Sequence, residues 1–300
     1  MAQAVALEKK AGSALHKNWN PVTIGKAITW TRFHEGSDRK LPTVVLTHGI
    51  VTSGPQLDPL FDALTRSYRG SIVAVELPGH GISDRLGTRT RLLDYATEII
   101  RIAEKASGLA KLDLTRTVFV GHCHSADIVH KLAQTTEVAG TVMLNPISTL
   151  SLPKMLLRDM KLWYRLFVKP FLRKIREKIG DAKEHLAAVK DATDPTKYNS
   201  RLLLALRSVI DAAITWRDRS YGTQENYSPT LIVTGEHDVK ATPKVVRKLS
   251  KTIGNSDVMV LPDVGHMTIL VKPEEVAREI VWFVERRIST VLPAVSTQNP

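Results

Sequence analysis

The chain lacks the residues that mark a specialised architecture. It has one cysteine in 300 residues. No internal disulfide can form, and nothing requires an oxidising compartment. No window approaches the roughly 18 uncharged apolar residues of a membrane-spanning helix. Residues 1–14 are polar and alanine-rich, without the continuous apolar core of a signal peptide. No segment repeats at a fixed period. Cytoplasm is therefore the expected location. Hydrophobic residues make up 43% and charged residues 24%, ordinary for a globular protein, and the length allows a sizeable core. The charge is unbalanced: 42 Lys and Arg face 30 Asp and Glu, a net +12, with a sequence pI of about 9.8. Such a chain attracts acidic partners: nucleic acid, anionic lipid, coenzyme A or an acidic carrier protein.

Short apolar runs alternate with helical patterns. Residues 22–33 read as one or two antiparallel strands, and 43–47, 71–77, 117–122, 141–144, 230–234 and 258–261 as strands. Helical spacing covers 56–67, 92–107, the stretch after Cys123, 243–252 and 273–287. This order predicts an α/β fold with a mostly parallel sheet and helices on both faces. The continuous Val and Ile runs fit strands buried on both sides. The pattern breaks at 151–228, which is long, basic and without a convincing strand. It reads as a helical cap inserted after the sixth strand, dividing a core of 22–150 and 229–288. Residues 1–21 form an N-terminal extension and 289–300 a loose tail.

That insertion carries 16 Lys and Arg against 9 Asp and Glu. Lys154, Arg158, Lys161, Arg165 and Lys169 form one helical stripe, and Met160, Trp163, Tyr164, Phe167 and Phe171 an apolar face. One reading is a solvated face above a packed one. The other is an apolar acyl tunnel under a basic rim that receives coenzyme A phosphates or an acidic carrier. A basic amphipathic helix also suits transient contact with anionic membrane, though this is not the favoured reading. No nucleic-acid-binding motif accompanies the charge, so nucleic acid is not expected.

Four motifs fall at the C-terminal ends of the proposed strands, where open α/β sheets place their sites. His48-Gly49-Ile50-Val51 can aim backbone N–H groups at a developing oxyanion. Pro78-Gly79-His80-Gly81-Ile82-Ser83 shapes a tight loop, with His80 read as structural. Gly121-His122-Cys123-His124-Ser125 sits at a strand-to-helix turn and has the form of a nucleophile elbow. There Cys123 would attack a carbonyl, the N–H groups of His124 and one near Ile50 would hold the oxyanion, and the helix N-terminus would favour a thiolate. His122 and His124 flank Cys123, but adjacent residues on a sharp turn point apart, so no metal and no cofactor is expected. Last come Asp238, after the 230–234 strand, and His266, after 258–261. His266 would be the general base and Asp238 its support. His237 reads as surface decoration.

On these residues the chain resembles the α/β-hydrolase superfamily over about 22–287. The nucleophile–acid–histidine order is that of this superfamily. The resemblance implies Cys123, His266 and Asp238 as the triad, and the amides of Ile50 and His124 as the oxyanion hole. Three positions depart from the usual pattern. Cysteine replaces the commoner serine, Ser125 replaces the second elbow glycine, and Glu76 stands where many members carry aspartate, a change read as neutral.

A thiolate exchanges readily with thioesters and forms an acyl-cysteine. The sequence therefore points to an acyl-transfer enzyme, a thioesterase/esterase-type hydrolase or acyltransferase, acting on a thioester, ester or lactone with an apolar acyl group. Two alternatives stay open: a non-catalytic binding protein on a degenerate hydrolase scaffold, and a carbon–carbon bond hydrolase.

Overall fold

The structure is a computed structural model. It describes residues 16–50, 52–84, 92–147 and 226–289, excepting the side chains of Asn226 and Tyr227. Among these residues, eight strands make one sheet: β1 (Asn20–Ile24), β2 (Ala27–His34), β3 (Thr43–Thr47), β4 (Ile72–Val75), β5 (Thr117–His122), β6 (Gly140–Leu144), β7 (Asn226–Gly235) and β8 (Gly254–Leu261). Their spatial order is β1-β2-β4-β3-β5-β6-β7-β8. The β1–β2 and β2–β4 pairings are antiparallel and all later ones parallel. The helices are α1 (Asp58–Ser67), α2 (Leu92–Ser107), α3 (His124–Thr135), α4 (Pro243–Ile253), the single turn α5 (Thr268–Val271) and α6 (Pro273–Phe283).

The apolar runs are continuous because each strand feeds two cores. Side chains alternate faces along a strand. Val44, Leu46, Val118, Val120, Val142, Leu144, Leu231 and Val233 join one cluster, with α1 and α6. Val45, Val73, Val75, Phe119, Met143 and Ile232 join the other, with α2, α3 and α4. Each fully buried Val, Leu or Phe contributes about 2 kcal/mol of transfer free energy. The helices show the matching one-sided pattern: Leu60, Phe61, Ala63 and Leu64 of α1 are buried, as are Val246, Leu249 and Ile253 of α4. Thr242 caps α4 through a hydrogen bond from the Val245 N–H, and Pro243 supplies the first helical position.

Several boundaries differ from the expected ones. The sheet begins at Asn20, inside the stretch read as an N-terminal extension. His16 and Trp19 are buried too, so chain before the first strand packs into the core. The 22–33 stretch is a hairpin, with Ile24 opposite Ala27 and the turn entered by Gly25 at φ 60°, a backbone that favours glycine. β7 starts at Asn226, taking in the last residues of the expected cap. The remainder of that cap, 151–225, lies outside the described residues, and so does the tail beyond Ser289. β8 starts at Gly254 rather than 258. As an edge strand it keeps a polar, part-exposed beginning while still pairing with β7. The expected helix to 287 ends at Phe283 and continues as a wider turn, Val284–Ile288. Among the described residues, no helix is long and apolar enough to cross a membrane.

For function, the key consequence is alignment. β3, β5, β6, β7 and β8 run parallel as neighbours, with Thr47 level with Gly121, His122 with Leu144, and Leu144 with Val233. Their C-terminal ends form one edge, and all four sequence motifs leave from that edge or beside it.

Candidate active site

At the end of β5 the chain turns directly into α3. Cys123 occupies the turn with φ 59° and ψ −113°. That is a left-handed backbone uncommon for a residue with a side chain, and the surrounding structure must hold it there. The Cys123 N–H donates to the Leu144 carbonyl at 2.8 Å. Gly121 permits the sharp reversal, since a Cβ there would lie 2.2 Å from the Ser125 carbonyl oxygen. Ser125 is fully buried, and its hydroxyl donates to the His48 carbonyl. The residue in the second elbow-glycine position thus ties the elbow to the loop after β3.

That loop faces the thiol. A Cβ on Gly49 would stand 3.0 Å from Cys123 Cβ and 3.5 Å from its Sγ. Ile50 follows, half-buried. His48 holds the loop's first turn. Its Nε2 accepts the Leu77 N–H at 3.0 Å, so the ring proton sits on Nδ1 and is donated to the Gly49 carbonyl at 2.7 Å. Burial, then the neighbouring His80, lowers the His48 pKa to about 3, and the ring stays neutral. His80 is buried and packs edge-on against His48, with ring centroids 5.5 Å apart.

Asp238 and His266 meet after β7 and β8. His266 Nδ1–H donates to Asp238 Oδ2 at 2.8 Å. Asp238 Oδ1 accepts the N–H groups of Lys240 and Ala241, at 2.8 and 2.9 Å. Burial pushes the Asp238 carboxyl up, but the hydrogen bond from His266 and its charge, with Ala241 and Asn145, outweigh burial and hold it far below the usual carboxylate range. Burial alone would lower His266. The bond to Asp238 and the Cys123 thiol beside it prevail and raise its pKa to about 9. Among the described residues, His266 Nε2 is buried without a nitrogen or oxygen partner. At neutral pH the ring stands as an imidazolium next to Cys123.

Two residues given no positioning role from sequence complete this frame. Asn145, at the end of β6, is fully buried with φ 49°. Its amide donates to Asp238 Oδ2 at 2.9 Å and accepts the Thr268 hydroxyl at 2.5 Å. The available signal was a polar residue directly after the buried run GTVML, at a strand's C-terminal end. The other is His122. Its Nε2–H donates to the His266 carbonyl at 3.0 Å, and burial followed by the charge of His266 lowers its pKa to about 3. His124, by contrast, lies beside Asp127, with Nδ1 4.0 Å from the carboxylate. The two histidines flanking Cys123 therefore diverge. Among the described residues, the cluster with metal-ligand spacing is Glu236, His237 and Asp263, all exposed.

A structural frame of this kind has many counterparts. An esterase from Thermogutta terrifontis superposes with a TM-score of 0.65 at 17% identity, covering 89% of this chain and 98% of that one. An enol-lactonase from Burkholderia xenovorans gives 0.67 at 15% identity, covering 89% and 100%. An enzyme described as degrading N-acyl homoserine lactones gives 0.64 at 19%, covering 88% and 100%. At these identities the likeness establishes the fold. No curated protein sequence matches. The family model for the alpha/beta hydrolase fold matches residues 42–273, most of the chain and every motif described above, and the chain belongs to that family.

Proposed function

We propose that this protein is an acyl-transfer hydrolase with Cys123 as nucleophile, His266 as proton carrier and Asp238 as its support. The observation that carries the reading is the strained elbow. Cys123 is held at φ 59°, beside an imidazole whose other nitrogen is bonded to a buried aspartate. A scaffold kept only for binding has no use for such strain or for an imidazolium held against Cys123.

The chemistry follows from these groups. The Cys123 sulfur, its proton already on His266, attacks the acyl carbon as a thiolate, and the carbonyl π pair moves to oxygen. The N–H groups of Ile50 and His124 hold that oxyanion, each worth about 3 kcal/mol in comparable sites. Collapse expels the alkoxide or thiolate leaving group, which takes the proton from His266 Nε2. Water then attacks the acyl-cysteine, giving its proton back to His266, and the carboxylic acid leaves as the thiolate is restored. Substrates of this class are esters, lactones and thioesters with an apolar acyl group. The likeness to esterases and lactonases supports the first two, and the cysteine favours the third. The basic 151–228 segment suits an acyl group delivered on coenzyme A or an acidic carrier protein.

Intact-protein mass spectrometry after incubation with acyl thioesters, lactones and activated esters tests the reading. The wild type should gain the mass of the acyl group and Cys123→Ala should not. Turnover by the alanine variant at the wild-type rate would end the proposal.

A further inference from the structure

Glu76, directly after β4, has no solvent-exposed surface. Five donors converge on it. Oε1 accepts the N–H groups of Ile82 and Ser83 and the Ser83 hydroxyl, each at 2.9 Å. Oε2 accepts the Gly54 N–H and His16 Nε2, both at 2.8 Å. Gly81, at φ 54°, lets the Pro-Gly-His-Gly loop wrap the carboxylate, and a Cβ there would lie 2.1 Å from Oε2. Burial raises the carboxyl's pKa, but the hydrogen bond and charge of His16, with His48 and Gly54, bring it below its ordinary value. The group stays a carboxylate in the core.

The consequence concerns the loop facing the thiol. Its first residue, His48, is bonded to the Leu77 N–H. Its far end, Gly54, is bonded to Glu76. Two adjacent residues therefore clamp both ends of the 48–54 segment, with Gly49 and Ile50 between. The clamp depends in turn on chain before β1. His16 is buried, edge-on to Trp19 and Trp30 at 6.2 and 5.9 Å. The Trp19 ring also packs on Gly54, where a Cβ would meet it at 2.7 Å.

We infer that His16 and Glu76 are positioning residues for the oxyanion loop, so that the segment preceding the first strand helps set the rate of acylation. This rests on the reading above that the Ile50 N–H holds the oxyanion. It also gives Glu76 more weight than its sequence position suggested.

Two reactions of the same thiol separate this role from general support. Alkylation by iodoacetamide forms an S–C bond, expels iodide and passes through no oxyanion. Acylation by p-nitrophenyl acetate expels p-nitrophenolate through a tetrahedral oxyanion. Both rates would be measured on the full chain for wild type, His16→Phe, His16→Gln and Glu76→Gln, with thermal unfolding alongside.

His16→Phe should lower acylation about tenfold or more, since oxyanion donors act only when accurately placed, and leave alkylation within about twofold. His16→Gln, whose amide can still donate to Glu76, should recover most of the loss. Glu76→Gln, which turns an acceptor into a donor facing other donors, should fall at least as far as His16→Phe and provides the test if that variant fails to fold. A wild type that acylates normally, with variants keeping the wild-type ratio of the two rates, overturns this inference alone. A wild type that is alkylated but never acylated overturns the acyl-transfer reading and this inference together.

Discussion

Replacing Asp238 with asparagine keeps the shape of the side chain and removes the charge that faces His266. In the wild type the imidazole is raised from 6.5 to about 9. A shift of that size is about 3 kcal/mol of preference for the imidazolium, at 1.36 kcal/mol per unit. Asp238 and Cys123 share it, against a burial cost of opposite sign. Loss of the Asp238 charge should bring His266 down by at least one unit, or about 1.4 kcal/mol. The assay is an NMR titration of the ¹³Cε1 signal of His266 with Cys123 intact. The wild-type transition should fall near pH 9 and the variant's below about pH 8. Acylation in the variant should fall by orders of magnitude, since the ring is no longer held in its charged, oriented form. Stability carries the same signature. His266 has a folded pKa above its unfolded one, so its contribution is complete below about pH 6.5 and disappears as pH rises towards 9. Asp238 is depressed, so its side of the same interaction is lost as pH falls below the ordinary carboxylate range. These are two views of one pair and do not add. The wild type should therefore lose urea resistance between pH 7 and pH 9.5 by more than Asp238→Asn does. A wild-type His266 that titrates at or below 6.5 would refute the reasoning, as would a titration indifferent to the substitution.

Two further substitutions test the frame around this pair. In Gly49→Ala the new methyl meets Cys123 Cβ at 3.0 Å and Sγ at 3.5 Å. Displacing the thiol by a few tenths of an ångström should cut acylation about tenfold with little change in the unfolding midpoint, and an unchanged rate would show that the loop does not bear on the sulfur. Asn145→Ala removes the donor to Asp238, strands the Thr268 hydroxyl and places alanine in a left-handed backbone. It should cost about 3 kcal/mol in urea unfolding, and a cost under about 1 kcal/mol would mean the network is slack.

The elements written in the sequence were those with a local cause. β3, β4 and β6 could be read because strands buried on both faces are mostly apolar, as in TVVLT, IVAV and GTVML. The elbow could be read because a reversal between β5 and α3 requires Gly121, whatever lies elsewhere. Asp238 and His266 were legible through chain order and their places after strands. Groups whose meaning depends on a distant partner were not. His16 finds Glu76 across 60 residues, and Asn145 finds Asp238 across 93. Neither has a spacing rule, and each residue alone is an ordinary polar side chain. Ser125 could be read as small, but its bond to the His48 carbonyl joins the first turn of α3 to the loop after β3, 77 positions apart.

The place of Cys123 in chain order has a consequence for folding. Cys123 precedes β6, while Asp238 and His266 follow β7, and the long stretch between Leu144 and Asn226 separates them. Joining two strands across many residues has an entropy cost that grows only logarithmically, about 0.6 kcal/mol per doubling of length. The pairing of β6 with β7 thus tolerates changes in the length of the chain between them. The same arrangement makes the thiol a reporter. Its imidazolium partner arrives only when β6 and β7 have paired, so the rise of Cys123 reactivity during refolding should mark the joining of the two halves of the sheet.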